Sequence, residues 1–184
     1  FSPVETDPDL FPAPFVDVNG DGIYNVYDGD YPRIRGDQMA WWVLTDSTAH
    51  LHTAGNIAGV DLGISAYVFD CMQNETIEKS LLVDVQVINR GQTDYHNTFM
   101  GFFTDADLGC YYDDYMGSLP GSNTFYAYNF NGIDYDCPLG VKGFGDHIPV
   151  QTITYLNQSL DRFIYFNNPG VGVPLPGSTD PDLP

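Results

Sequence analysis

The sequence predicts an all-β chain folded as an antiparallel β-sandwich. Three observations lead there. Tyr (13), Phe (12), Gly (19) and Pro (13) are abundant, a composition that favours short strands joined by tight turns over helices. Several segments alternate apolar and polar residues with the period of two that only a strand sorts onto opposite faces. No stretch has a credible helical periodicity, so about seven to nine strands must bury their apolar faces by packing sheet on sheet.

The elements follow in chain order. The opening "FSPVETDPDLFPAPFV", residues 1–16, holds four prolines and reads as an extended lead-in. Strands are expected in "QMAWWVLT", "VDLGISAYVFDC", "TIEKSLLVDVQVIN", "NTFMGFFTD", "TFYAYNF", "VQTITYL" and "DRFIYFN", separated by loops carrying Gly, Asn and Asp. In the third, Ile77, Lys79, Leu81, Val83, Val85 and Val87 share one face. Trp41 and Trp42 are neighbours in the first, so at least one faces inward. Residues 17–168 form one domain and 169–184 a Pro/Gly-rich linker. The pentapeptide "TDPDL" occurs at Thr6–Leu10 and again at Thr179–Leu183; recurrence in Asp- and Pro-rich linkers explains it more simply than a tandem seam.

Six basic against 25 acidic residues give a net charge of −19, which excludes nucleic acid as a partner and disfavours anionic membranes. The same excess favours bound divalent cations, because a folded chain this acidic repels itself. No apolar run approaches the roughly 18 residues of a membrane span. The chain has no initiator Met, so it reads as a mature or excised segment. Cys71, Cys110 and Cys137 lack the close spacing of a zinc site. One disulfide with a leftover thiol and an all-reduced set both fit, and the sequence does not select a pair.

The most informative segment is "DVNGDGIYNVYD", residues 17–28. A hard cation such as Ca²⁺ takes six to eight oxygens, and a loop of about twelve residues supplies them when acidic or amide side chains occupy alternate early positions. Asp17, Asn19 and Asp21 do so; Gly22 permits the sharp bend, the Ile23 carbonyl can turn inward, Asn25 can bind directly or through water, and Asp28 closes the loop. The segment resembles the loops of dockerin modules and thrombospondin type-3 repeats. It departs from the usual EF-hand in ending on Asp rather than Glu and in lacking flanking amphipathic helices. There is no second copy, so a dockerin's partner is not implied. The expected role is structural: metal orders a segment with few apolar contacts and holds the lead-in.

Other constellations carry less. "TDADLGCYYDDYMG" crowds Asp105, Asp107, Asp113 and Asp114 and is a candidate second metal site, to which Asp134, Asp136 and Asp146 can add from neighbouring loops. Paired carboxylates with many Tyr and Trp also suit a carbohydrate-binding or glycoside-hydrolase-associated domain, the alternative function. His50 and His52 lie on one side of an extended segment, but a third ligand is missing and a polar edge is the simpler reading. No nucleophile–base arrangement points to catalysis. "DST" matches a short bacterial O-glycosylation pattern with Ser47 as acceptor, and Asn74 and Asn157 lie in N-glycosylation sequons.

The order of motifs, "NGDGIYNVYDGDYP", "GDQMAWWVLTD", "VINRG", "FFTDADLGCYYDDYMG" and "AYNFNGIDYD", is similar to a module of large secreted or surface proteins of Bacteroidota whose chains end in a type IX secretion sorting domain. The resemblance covers roughly residues 17 to 146. It implies export to the cell surface or medium, a β-rich multidomain parent and no established enzyme activity. The expected function is therefore a calcium-stabilised, secreted structural or adhesion module. Its partners would be neighbouring domains or subunits of a surface assembly, or glycans.

Overall fold

The structure is a computed structural model that describes residues 12–48, 50, 54–70, 73–157 and 159–164. Both "TDPDL" copies, His52, Cys71 and the 169–184 linker lie outside the described residues. The fold is all-β: eight strands in three antiparallel sheets, with one α-helix of four residues and four single-turn 3-10 helices among the described residues. The chain divides into two compact units, Phe1–Thr98 and Phe99–Pro184.

In the first unit, β1 (Phe15–Val16) pairs with β2 (Tyr31–Pro32), Phe15 opposite Pro32 and Val16 opposite Tyr31. A further bond from the Arg33 amide to the Pro14 carbonyl (2.9 Å) extends this ribbon. Residues 17–30 are thus the loop of a short hairpin. The end of the lead-in is one of its strands, which is why a proline-rich segment becomes ordered there.

The main sheet runs β3 (Gln38–Thr45), β4 (Val60–Val68) and β5 (Leu82–Asn89) in sequence order. Register places Trp42, Ile64 and Val85 in one row and Leu44, Leu62 and Val87 in the next, an apolar face. The opposite face carries Trp41, Ser65 and Asp84, then Thr45, Asp61 and Ile88. Its polar groups are paired: Asp61 accepts from Arg90 Nε at 2.9 Å, and Arg35 reaches Asp84 while its guanidinium lies 5.8 Å from the centre of the Tyr67 ring. Trp41 is therefore the more sheltered of the two tryptophans and Trp42 the more exposed.

The expected strand over residues 76–89 begins only at Leu82. Glu75–Glu78 forms α1 instead, because the Asn74 side chain accepts from the Ile77 amide and Lys79 pairs with Glu75. Asn74, half of a glycosylation sequon, is thus a helix cap. At the other end of the sheet Gly36 explains the start of "GDQ": its φ is +66°, and an added Cβ would fall on the Val68 carbonyl. Asp37 then takes the Asp70 amide at 2.7 Å. Gly36→Ala is expected to lower unfolding stability by about 2 kcal/mol or more, the left-handed penalty plus the backbone clash. Urea denaturation of the variant checks this; an unchanged midpoint would contradict it.

In the second unit β6 (Asp114–Leu119), β7 (Thr124–Asn129) and β8 (Gln151–Thr154) form an antiparallel sheet in that order. β6 was not among the expected strands: the acidic segment becomes a strand from Asp114 onward. Conversely, "NTFMGFFTD" forms no strand, and neither do residues 161–164. Ala127 is fully buried, and Leu108, Cys110 and Cys137 are the other buried apolar residues among those described. Cys110 and Cys137 form a disulfide across 27 residues. Four polar residues of this unit, Asp114, Thr124, Asn129 and Asp134, are buried as well, so hydrogen-bonded polar groups carry much of its interior.

Candidate metal centre

The loop 17–28 is built from backbone amides turned onto side-chain oxygens. Asp17 accepts from the Gly20 amide (2.6 Å) through one oxygen and from Gly22 (2.7 Å) through the other. These amides, Gly22 foremost, hold Asp17 below the usual carboxylate range. Asn19 accepts from the Asp21 amide at 3.1 Å, Asp21 from Ile23 at 2.8 Å, and Asn25 from Tyr27 at 3.1 Å. Such Asx turns fold the chain back on itself without any apolar core.

The other ends of these side chains meet. Asn19 Nδ2 lies 2.9 Å from Asp21 Oδ2 and 3.5 Å from Asp28 Oδ2, and Asn25 Nδ2 lies 2.6 Å from the same Asp28 oxygen. Four of the six residues singled out in the loop, at its third, fifth, ninth and twelfth positions, therefore converge. Asp17 instead binds the Gly20 and Gly22 amides, and Ile23 is half-exposed. The donor set is all oxygen and amide, which suits a hard cation; the Asp17 and Asp21 oxygens each accept one of these bonds and keep a lone pair, whereas Asp28 Oδ2 accepts from both asparagines.

Sequence reasoning missed Asp30. It lies two residues past the loop pattern, is 2% exposed, and accepts from the Val18 amide with one oxygen and the Asn25 amide with the other, both at 2.9 Å. It clamps the entry and exit of the loop together from beneath. The Phe15 ring adds an edge contact to Tyr24 at 5.5 Å. Only the extra Asp after the twelve-residue pattern, in "DGD", hinted at it.

The second acidic segment is divided by the structure. Asp114 opens β6 with its side chain buried, and its Oδ2 accepts from the Leu108 amide at 2.6 Å. Asp113 ends the preceding 3-10 turn, where its Oδ2 accepts from Asn131 Nδ2 at 2.8 Å. Asp134, from a neighbouring loop, brings a carboxylate oxygen within 4.8 Å of one on Asp113. Burial, with the nearby charges of Asp113, Asp134 and Asp107 adding to it, pushes Asp114 up to about 6. Asp105 is exposed and is not among the charges that act on Asp114; Asp136 pairs with Lys142, and Asp146 lies 3.8 Å from His147. Cys110 lies beside Asp113 and Asp134, but its sulfur is in the disulfide and offers no thiolate.

Gly109 makes this packing possible: its φ is +58° and a Cβ there would strike the Asp134 carboxylate and crowd Gly143 and Phe144. The Cys110–Cys137 bond ties the two loops at the same place.

Ser47 lines an open depression with Thr45, Asp46, Gly59, Asp61 and Arg90, and is exposed. Asp46 beside it accepts from the Ala58 amide at 2.6 Å and pairs with His50, which holds it below the usual carboxylate range. A depressed folded value means a contribution to stability that is present above the unfolded value of 3.8 and lost as pH falls through the folded one. Asp46→Asn is expected to lower the urea midpoint at pH 7, with the gap from the parent closing as pH drops below that window. A gap independent of pH would contradict the charge-based account.

Compared with protein families, curated proteins and solved structures, the chain matches none of them.

Proposed function

We propose that this chain is a calcium-stabilised structural or adhesion module of a secreted or cell-surface protein. The observation that carries the reading is the convergence of Asn19, Asp21, Asn25 and Asp28 inside a loop closed by the β1–β2 ribbon. Calcium would replace the amide-to-carboxylate contacts with oxygen ligands and so hold the lead-in in its ribbon. The Cys110–Cys137 disulfide supports an oxidising compartment, and the acidic composition suits a calcium-rich exterior. No described helix is long and apolar enough to cross a membrane. Its partners in this reading are neighbouring domains or subunits of a surface assembly.

The test is calcium binding by the full chain after chelation. At 100 times the dissociation constant, added CaCl₂ should stabilise by about 2.7 kcal/mol, roughly 5–10 °C in Tm for a chain of this size. Asp17→Ala and Asp21→Ala should each abolish most of the loop's calorimetric signal, while Asn25→Ala weakens it less. Equal losses in all three would contradict the assigned roles; undiminished binding in Asp21→Ala would overturn the site. Hydrolysis of a glycan by the parent would favour a carbohydrate-active domain instead.

A further inference from the structure

We infer that the second unit holds a separate divalent-cation site of its own, formed by Asp113, Asp114 and Asp134 around the Cys110–Cys137 disulfide. It rests on observations independent of the loop at 17–28. Asp114 is 5% exposed, yet its Oδ1 has no hydrogen-bond partner; Asp113 is only half-buried, but its Oδ1 atom is shielded and unpartnered too. Asp134, 1% exposed, spends one bond per oxygen, on the Cys110 amide (3.2 Å) and the Phe144 amide (2.7 Å), leaving a lone pair on each. Asp113 and Asp134 oxygens already lie within 4.8 Å of one another.

The paired Asp113 and Asp134 carboxylates, with the buried Asp114 next in the chain, need compensation. Among the described residues, no Lys, Arg or His forms an ion pair with Asp107, Asp113, Asp114 or Asp134. A buried water could receive the one unpartnered donor nearby, Asn129 Nδ2, which sits across from Asp114 in the sheet, and donate to both free oxygens. Water satisfies those hydrogen bonds but leaves the charges uncancelled, and repulsion between unscreened carboxylates in a low-dielectric pocket outweighs what the hydrogen bonds return. A divalent cation answers both needs. Its class follows from the donors: the oxygens are hard and the sulfurs of Cys110 and Cys137 are locked in a disulfide, so calcium or magnesium fits better than zinc.

The test uses the full chain, chelated and titrated with CaCl₂, and in a second arm with MgCl₂. Two binding events are expected. Asp113→Asn, which keeps size and shape, should weaken one event at least tenfold and leave the other untouched; Asp21→Ala should do the reverse. Failure of the loop reading would remove only the event sensitive to Asp21. If Asp113→Asn and Asp114→Asn both bind as the parent does, the carboxylates are held by water and the inference fails. A readout in the parent needs no variant: cation should slow amide exchange at Leu108, Cys110 and Phe144, all bonded to these carboxylates, and unchanged exchange with either ion would overturn the site.

Discussion

Asp30→Ala is expected to destabilise the first unit by about 3 kcal/mol and to abolish its response to calcium, although no proposed ligand has been touched. Asp30 is 2% exposed and its two oxygens each take a backbone amide, from Val18 and Asn25. Removing it leaves two sheltered donors without an acceptor, each costing about 1–3 kcal/mol. The loop also loses the clamp that sets the distance between its early and late positions, so Asn19 and Asp28 no longer face one another. Asp30→Asn retains one acceptor oxygen and should fall between variant and parent. Urea melts with and without calcium check both parts. A variant of parental stability would show that the carboxylate is incidental. One that is destabilised but still binds calcium normally would show that the ribbon alone organises the loop.

The second large effect concerns the disulfide. Replacing both Cys110 and Cys137 by Ser should cost the second unit about 3.5 kcal/mol, the loop-closure entropy for a separation of 27 residues. Among the described residues that unit has few buried apolar ones, and of these Cys110 lies beside Asp134 and is bonded to Cys137. The bond therefore anchors most of what interior it has, and the gaps left by the smaller hydroxyls add to the loss. Dithiothreitol applied to the parent should reproduce the effect, which separates loss of the cross-link from loss of packing. Parental stability in the double variant would contradict this account.

Much of the fold was legible because it is local. "QMAWWVLT" alternates cleanly and β3 spans those same residues, 38–45. β4, β7 and β8 likewise fall within segments whose β-branched and aromatic content marks them. The misses have physical causes. "NTFMGFFTD" is apolar but a strand needs a partner ladder, which residue type alone does not supply. β6 was hidden because its first residue is an aspartate whose burial depends on the Leu108 amide, a contact made only in three dimensions. The start of β5 was misplaced because a local cap at Asn74 outcompetes the ladder.

The sites divide along the same line. Residues 17–28 are contiguous, so side-chain spacing alone reveals that their oxygens can meet. Asp30 and Asp134 act through backbone amides 12 and 24 residues away, at Val18 and Cys110 respectively. No spacing rule reaches that far. The disulfide partner of Cys110 was open for the same reason: three widely separated cysteines allow several pairings until the loops at 110 and 137 are brought together.

The central claim is that the hairpin loop at 17–28 wraps a calcium ion, and a crystal structure of the full chain grown in millimolar CaCl₂ tests it most directly. The account predicts an ion in the bend, about 2.3–2.6 Å from oxygens of Asp17, Asn19, Asp21 and Asp28, with the Asn19 and Asn25 amides no longer donating to Asp21 and Asp28. An empty bend with those amide-to-carboxylate hydrogen bonds still in place would contradict it.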